Sequence, residues 1–306
     1  MMQAVSSTDF PVILSRYRAV RVVLAALRLS AFLLLIVVLT PLHLVMVATS
    51  GSMAVPRLFH KICRRIFGIR LRHIKTDGQA QASAEKSQGK SSKNKNPVFY
   101  VSNHVSYLDI ILLGGVFDAV FVAKSDVADW PLFGVLAKLQ KTVFIRRVAQ
   151  GIDEGRGMIA ARLARGYSVI LFPEGTSTDG RAVVPFKSAL FSLFTANAAA
   201  ERAAGQEGTS QGEGFAETPI VPLCIRIRSV EGIKPSEHEQ EDNGPRGLYG
   251  WYGDMVLVPH LWRFSQVFYT EIDLIEGAAV LPSAFASRKD MASFFHTQVS
   301  NALHAE

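Results

Sequence analysis

The segment 103–109, NHVSYLD, places a histidine and an aspartate five positions apart, at His104 and Asp109. On one continuous helix this spacing turns about 500°, so the two side chains would lie roughly 140° apart. The two side chains can meet if His104 precedes a helix that begins near Ser106. Asp109 would then accept from one ring nitrogen and leave the other free as a general base. The alternative is a capping aspartate beside a packed histidine.

A protein nucleophile does not accompany this pair. The G-x-S-x-G elbow of esterases is missing from the sequence, and GTSTDG at 175–180 does not match it. The eight histidines are scattered and form no H-E-x-x-H motif, so we expect no catalytic metal. The attacking hydroxyl is therefore expected to arrive with the substrate.

A second motif, FPEG, follows the apolar run 168–172. Because proline cannot donate to a strand ladder, Phe-Pro is expected to end a strand there. Gly175 allows a sharp turn or a close approach to a ligand. Glu174 would then be held at the strand end, close to Thr176. The alternative interpretation is a plain strand-to-turn exit with a solvated glutamate.

A basic pair, Arg146 and Arg147, follows the apolar run 142–145. Guanidinium groups bind phosphate with two N–H donors at once, so these arginines are candidate ligands for an anionic group. Lys187, which precedes a predicted helix, is a further candidate. An exposed basic turn is the alternative.

Short β-rich runs alternate with helical patterns from about residue 97 onward. Strands are predicted over 98–102, 119–123, 142–145, 168–172, 220–227 and 267–272, and helices over 106–113, 130–140, 152–165, 187–198, 254–264 and 287–303. This alternation predicts an α/β fold with a mostly parallel central sheet flanked by helices. Ligands bind beyond the carboxyl ends of parallel strands, so the three motifs are expected to face one cleft.

The tract 247–262, GLYGWYGDMVLVPHLW, is rich in aromatic residues. A core helix capped by Asp254 is one interpretation. A membrane interface or an acyl groove, which suits amphipathic aromatic side chains, is the other.

Residues 1–75 are predicted to be a membrane-embedded helical segment. The stretch 29–48 has no formal charge over twenty residues, and at 1.5 Å per residue it covers about 30 Å, the thickness of a bilayer core. The stretch 55–72 has apolar residues on one helical face and basic residues outside it, as in interfacial amphipathic helices. Buried or surface helices of the globular body are the alternatives, and a spanning or a re-entrant anchor remains open.

The net charge of +7 is concentrated in the same segment. Between Asp9 and Asp77 there are eleven lysines and arginines and no acidic residue, which favours a membrane partner with anionic lipids. No nucleic-acid-binding motif accompanies this charge, so nucleic acid is not an expected partner. Residues 76–96 are polar and are predicted to be a flexible linker. Only two cysteines occur, which argues against a disulfide framework.

Taken together, the motifs resemble those of the glycerolipid acyltransferase family, whose best-known members are the 1-acylglycerol-3-phosphate acyltransferases. Four ordered blocks carry this resemblance over roughly residues 97–228: NHVSYLD at 103–109, KTVFIRR at 141–147, FPEGTS at 172–177 and IVPL at 220–223. Lys141 stands where the family has glycine, and Ser177 stands where it has arginine. The second departure puts the acceptor in question.

The resemblance implies a membrane-bound acyltransferase whose catalytic domain covers 97–306. His104, oriented by Asp109, would remove the proton from the free hydroxyl of a lysolipid. The oxygen would then attack the thioester of acyl-CoA or acyl carrier protein, with no other cofactor. The acceptor first expected is 1-acylglycerol-3-phosphate, which gives phosphatidic acid, at the cytoplasmic face of a bacterial inner membrane.

The resemblance also implies the substrate-binding residues. Arg146 and Arg147 would hold an anionic head group, and Glu174, Gly175 and Thr176 would shape the acceptor site. Two other functions stay open: a lyso-ornithine lipid O-acyltransferase with the same chemistry, and a membrane lipid-binding protein without catalysis.

Overall fold

The computed structural model describes residues 17–50, 54–76, 96–146, 149–195, 215, 217–237 and 244–305, so most of the predicted linker lies outside the described residues. The strands are β1 Ile69–Lys75, β2 Phe99–Ser102, β3 Ala119–Lys124, β4 Val143–Ile145, β5 Ser168–Leu171, β6 Ile220–Val230 and β7 Thr270–Glu276. They form one sheet in the order β1-β7-β6-β2-β5-β3-β4. All neighbouring strands are parallel except β6 and β7. The predicted α/β fold with a mostly parallel sheet is therefore confirmed, with β1 and β7 reversed at one edge.

Helices cover both faces of this sheet. They are α1 Arg18–Ser50, α2 Ala54–Ile66, α3 Leu108–Val116, α4 Phe133–Leu139, α5 Ala149–Ala164, α6 Pro245–Tyr249, α7 Leu257–Ser265 and α8 Arg288–His304. The helix expected over 187–198 is a 3-10 segment, Ser188–Phe194, and α7 has no side-chain cap at its start. Successive strand residues point to opposite faces, so Val169 and Leu171 join the core under α5 and α8, whereas Ile170 joins the core under α2 and α3.

The prediction of one amphipathic helix over 55–72 is wrong for the last third of that range. α2 ends at Ile66, and Gly68, with φ +68°, turns the chain into β1. A Cβ at Gly68 would lie 2.5 Å from the carbonyl oxygen of Phe268, so glycine is required at this helix end. The first four residues of the following IRLRHIK alternate apolar and polar side chains, which suits an edge strand, and the segment pairs with β7 along its whole length.

α1 is a continuous helix of 33 residues that contains Pro41, and its length and composition are sufficient to cross a membrane. One face nevertheless packs on the body of the protein, where Arg21, Arg28, Phe32 and His43 are buried. The opposite face exposes a stripe of large apolar side chains: Val23, Leu27, Leu34, Val38 and Val45.

Polar contacts attach both halves of α1 to the body. Arg21 donates to both carboxylate oxygens of Glu231, at 2.7 and 2.8 Å. Arg28 donates to three backbone carbonyl oxygens at and just after the C-terminus of α7. Near the other end of α1, Nε2 of His43 lies 3.0 Å from the carbonyl oxygen of Leu139 in α4. Arg21 and Arg28 belong to the N-terminal basic residues that were expected to face lipid. In the structure both contact the body of the protein instead.

Candidate active site

His104 and Asp109 are in direct contact at the carboxyl end of β2. Nδ1 of His104 lies 2.8 Å from Oδ2 of Asp109. The same oxygen accepts the backbone N–H groups of Val105 at 2.7 Å and of Ser106 at 2.9 Å. α3 begins at Leu108, so the histidine lies before the helix and the aspartate lies in its first turn. The predicted fold-back of the ring is the observed arrangement.

This contact favours one tautomer of the imidazole. Because the carboxylate of Asp109 accepts at Nδ1, a neutral ring carries its hydrogen there and its lone pair on Nε2. Nε2 has no hydrogen-bond partner in the part of the chain that the structure describes. The ring stacks on Phe172, with centroids 4.1 Å apart, and 22% of the His104 side chain is exposed, whereas Asp109 is fully buried. An oriented, accessible base is the result.

Glu174, which belongs to the FPEG motif, holds the loop that carries His104. Its Oε1 accepts the backbone N–H of His104 at 2.7 Å, and its Oε2 accepts the backbone N–H of Val184 at 2.8 Å. The residue is only 1% exposed, and this burial raises the pKa of Glu174 to about 7, although both N–H groups favour the ionised form. Both carboxylate oxygens are thus occupied inside the protein.

The turn that follows Glu174 brings an ammonium group to the site. Gly175 has φ +68°, and a Cβ there would lie 2.6 Å from Nζ of Lys187. The backbone N–H of Lys187 donates to the carbonyl oxygen of Pro173 at 3.0 Å, which fixes the lysine beside the turn. Lys187 and Thr176 are both exposed, and no carboxylate among the described residues pairs with the lysine. The lysine is therefore available to an anionic ligand.

The structure describes only one of the two arginines that follow β4, Arg146 and Arg147. Nη2 of Arg146 lies 2.8 Å from Oε2 of Glu154, and both side chains are about half exposed, at 57% and 46%. Arg147 lies outside the described residues. Within the described ranges, no three His, Cys, Asp or Glu side chains are grouped closely enough to hold a metal ion.

Two side chains that were not among the predicted site residues complete the site, although Asn103 belongs to the block NHVSYLD. Asn103 exchanges two hydrogen bonds with the backbone of Ile225 in β6, at 2.9 and 2.7 Å, and so fixes the start of the loop. The hydroxyl of Tyr249 donates to Oδ1 of Asp109 at 3.1 Å. Asn103 adjoins His104 and could have been suspected on that ground. Tyr249 had no local signal, because it lies 140 positions from its partner.

Comparisons with a family model and with known proteins find the following similarities. The family model described as Acyltransferase matches residues 73–226. A lyso-ornithine lipid O-acyltransferase from Brucella abortus (strain 2308) is 34% identical over 251 residues, which are 82% of this chain and 82% of that protein. A 1-acyl-sn-glycerol-3-phosphate acyltransferase from Neisseria gonorrhoeae is 36% identical over 32% of this chain and 39% of that protein.

Among solved structures, the 1-acyl-sn-glycerophosphate (LPA) acyltransferase PlsC from Thermotoga maritima is similar to this chain, with a TM-score of 0.53. The match covers 94% of this chain and 96% of that chain, at 18% sequence identity. The two chains therefore share a fold.

Proposed function

This chain belongs to the glycerolipid acyltransferase family, and from that membership we propose that it is a lyso-ornithine lipid O-acyltransferase. Transfer of an acyl group to a lysolipid is the activity of the family. The lyso-ornithine acceptor is supported by the Brucella abortus relative, which is similar over most of this chain, whereas the Neisseria gonorrhoeae relative is similar over about a third. The acceptor first expected from the sequence, 1-acylglycerol-3-phosphate, becomes the second candidate.

The observation that carries the reaction is the 2.8 Å contact between His104 and Asp109. Nε2 of His104 takes the proton of the lipid hydroxyl, and the oxygen bonds to the carbonyl carbon of the acyl thioester. The carbon–sulfur bond then breaks, and the departing thiolate takes the proton from the imidazolium. Asp109 stabilises that imidazolium, which exists only during the reaction. We propose acyl-CoA or acyl carrier protein as the donor, with no further cofactor.

The head group is proposed to bind at Lys187. Ornithine offers a carboxylate, and a single ammonium group matches a carboxylate better than it matches a phosphate dianion. Two features support this assignment: the arginine expected after FPEGT is Ser177, and Arg146 is paired with Glu154. Glu174, previously considered an acceptor ligand, has both oxygens occupied by backbone N–H groups. We therefore assign it to placement of the base.

α1 is proposed to hold the protein on the cytoplasmic face of a bacterial inner membrane without crossing it. Its buried face contacts the body from Arg21 to His43. If α1 crossed the bilayer, these contacts with the body would have to lie within the bilayer or break. The exposed apolar stripe of α1 would instead enter one leaflet, and the basic residues of α2 would contact anionic lipid head groups.

The acceptor is tested with purified protein in detergent micelles. Labelled acyl-CoA and acyl carrier protein are each offered with lyso-ornithine lipid and with lysophosphatidate. We expect acylation of lyso-ornithine lipid to exceed that of lysophosphatidate by about tenfold or more, since an unmatched charge in a binding site costs at least about 1.4 kcal/mol. The variant His104→Ala serves as the control and should abolish transfer to either acceptor.

Other outcomes identify the competing functions. Preferred acylation of lysophosphatidate would make the second candidate correct and leave the reaction unchanged. Binding of either lysolipid without transfer by the unmodified protein would indicate a lipid-binding protein and would contradict the role of His104.

A further inference from the structure

We infer that Tyr249 is a positioning residue that holds Asp109, and through it His104, in the reactive arrangement. The inference deepens the proposed acyl transfer and rests on it. The hydroxyl of Tyr249 donates to Oδ1 of Asp109 at 3.1 Å, and both residues are fully buried. Among the described residues, the hydroxyl of Tyr249 makes its hydrogen bond to Asp109 and none to the imidazole.

The two oxygens of Asp109 are held very differently. Oδ2 accepts from the ring of His104 and from the backbone N–H groups of Val105 and Ser106. For Oδ1, the only hydrogen-bond donor among the described residues is Tyr249. A buried carboxylate oxygen without a donor is unfavourable, so this hydroxyl stabilises the ionised Asp109, while the two backbone N–H groups keep Oδ2 beside the imidazole.

Packing and a backbone hydrogen bond hold the segment that carries Tyr249 against the loop 103–109. Pro245 begins the short helix α6, and the ring of Tyr249 packs edge-on against Phe264, with centroids 6.0 Å apart. Two residues beyond Tyr249, the backbone N–H of Trp251 donates to the carbonyl oxygen of Val105 at 2.9 Å. This segment thus contacts the loop 103–109 through the side chain of Tyr249 and through the backbone of Trp251.

This segment lies beyond residues 73–226, the range that matches the family model. The orientation of the base is therefore supplied in part by a region outside the matched acyltransferase range. Burial raises the pKa of Tyr249 well above its ordinary value, so the hydroxyl keeps its hydrogen and remains a donor over the working pH range.

The electrostatic consequence has a definite sign. A hydroxyl that donates to Oδ1 withdraws part of the negative charge with which Asp109 attracts the proton on His104. Without it, the pair holds that proton more tightly, and the base becomes neutral only at higher pH. A purely structural tyrosine would show no such effect in Tyr249→Phe, because the phenylalanine ring retains the packing and only the hydroxyl is lost.

The test is the pH dependence of kcat/KM for Tyr249→Phe. We expect kcat to fall about tenfold, the KM for the acceptor to stay unchanged and the acid limb of the profile to move to higher pH. The matched control is Tyr107→Phe, which removes the hydroxyl of a partly buried tyrosine. That hydroxyl lies 3.0 Å from Nδ1 of His260 and does not contact Asp109, so its loss should leave the acid limb in place.

A second measurement guards against a variant that folds poorly. Site-directed insertion of 3-fluorotyrosine at position 249 keeps the shape and makes the hydroxyl a stronger donor, so the acid limb should move to lower pH. The titration of the His104 ring, followed by nitrogen NMR in 15N-histidine-labelled protein, should move in the same two directions. This readout does not require turnover, so failure of the proposed acyl transfer and failure of the Tyr249 inference are distinguishable. Unmoved titration in both variants would overturn the inference.

Discussion

The backbone N–H of His104 donates to Oε1 of Glu174 at 2.7 Å, which joins two motifs that lie 70 positions apart in the chain. β2 and β5, the strands that precede these motifs, are parallel neighbours in the sheet. Their carboxyl ends therefore meet at one edge, and the glutamate of FPEG reaches the loop that carries the base. This contact supports the proposal that Glu174 holds the loop of His104, in place of the role of acceptor ligand that the family resemblance implied.

The first prediction concerns the pH dependence of stability that Glu174 imposes. The pKa of this carboxyl is raised by burial from 4.5 to about 7. The folded state therefore holds the proton more tightly than the unfolded chain, and the contribution of this group to the free energy of unfolding decreases as the pH rises from about 4.5 to about 7. Urea unfolding in micelles at several pH values should show this decrease for the wild type and not for Glu174→Gln.

Glu154→Gln is the matched control, since Glu154 is exposed and pairs with Arg146 at the surface. It should preserve the wild-type pH dependence. Parallel curves for the wild type and Glu174→Gln between pH 4.5 and 7 would contradict the burial of an ionisable Glu174.

The second prediction concerns Asp109→Asn, which retains the shape of the side chain and removes its charge. We expect kcat to fall by about a thousandfold or more, because the imidazolium formed in the reaction loses its partner and the ring loses its fixed tautomer. The measurement is steady-state acyl transfer, together with sedimentation of the protein with membranes. An active Asp109→Asn protein would mean that the charge of Asp109 does not support the base.

The third prediction separates Lys187 from Arg146. Lys187→Gln should raise the KM for the acceptor about tenfold with little change in kcat, because a direct charged contact to the head group is lost. Arg146→Gln serves as the matched control and should change neither constant much, since Arg146 is exposed and pairs with Glu154. A rise in KM confined to Arg146→Gln would instead assign the binding of the anionic head group to Arg146.

The fourth prediction concerns the two ends of α1. Arg18→Cys and Thr49→Cys place a thiol at each exposed end, and a membrane-impermeant maleimide reports which side each thiol faces. Both thiols should react in inverted inner-membrane vesicles and neither in intact spheroplasts, because the helix is proposed to stay on one side. Cys63 and Cys224 contribute little background, because both are buried and burial raises their pKa to about 12.

Opposite labelling of the two positions would show that α1 crosses the membrane. In that case the contacts of Arg21 and His43 with the body would have to break in the bilayer.

Much of this protein could be predicted from short stretches of its sequence. The alternation of apolar runs and helical patterns predicted six of the seven strands, and the ends of β2 and β5 placed His104 and Glu174 at one edge of the sheet. Such features depend on local periodicity and on residues such as proline and glycine, whose backbone preferences act within a few positions. β1 was missed because its pattern was interpreted as a continuation of an amphipathic helix.

Local patterns were enough to predict that His104 could fold back on Asp109 at a helix start, that FPEG would end a strand and that α1 would be apolar. The inward position of Glu174, the pairing of Arg146 with Glu154 and the hydrogen bond from Tyr249 to Asp109 became visible with the folded chain. These contacts join residues from separate elements, and they depend on how strands and helices pack together. No local pattern encodes such a partner, because the free energy that selects it comes from burial in the assembled fold.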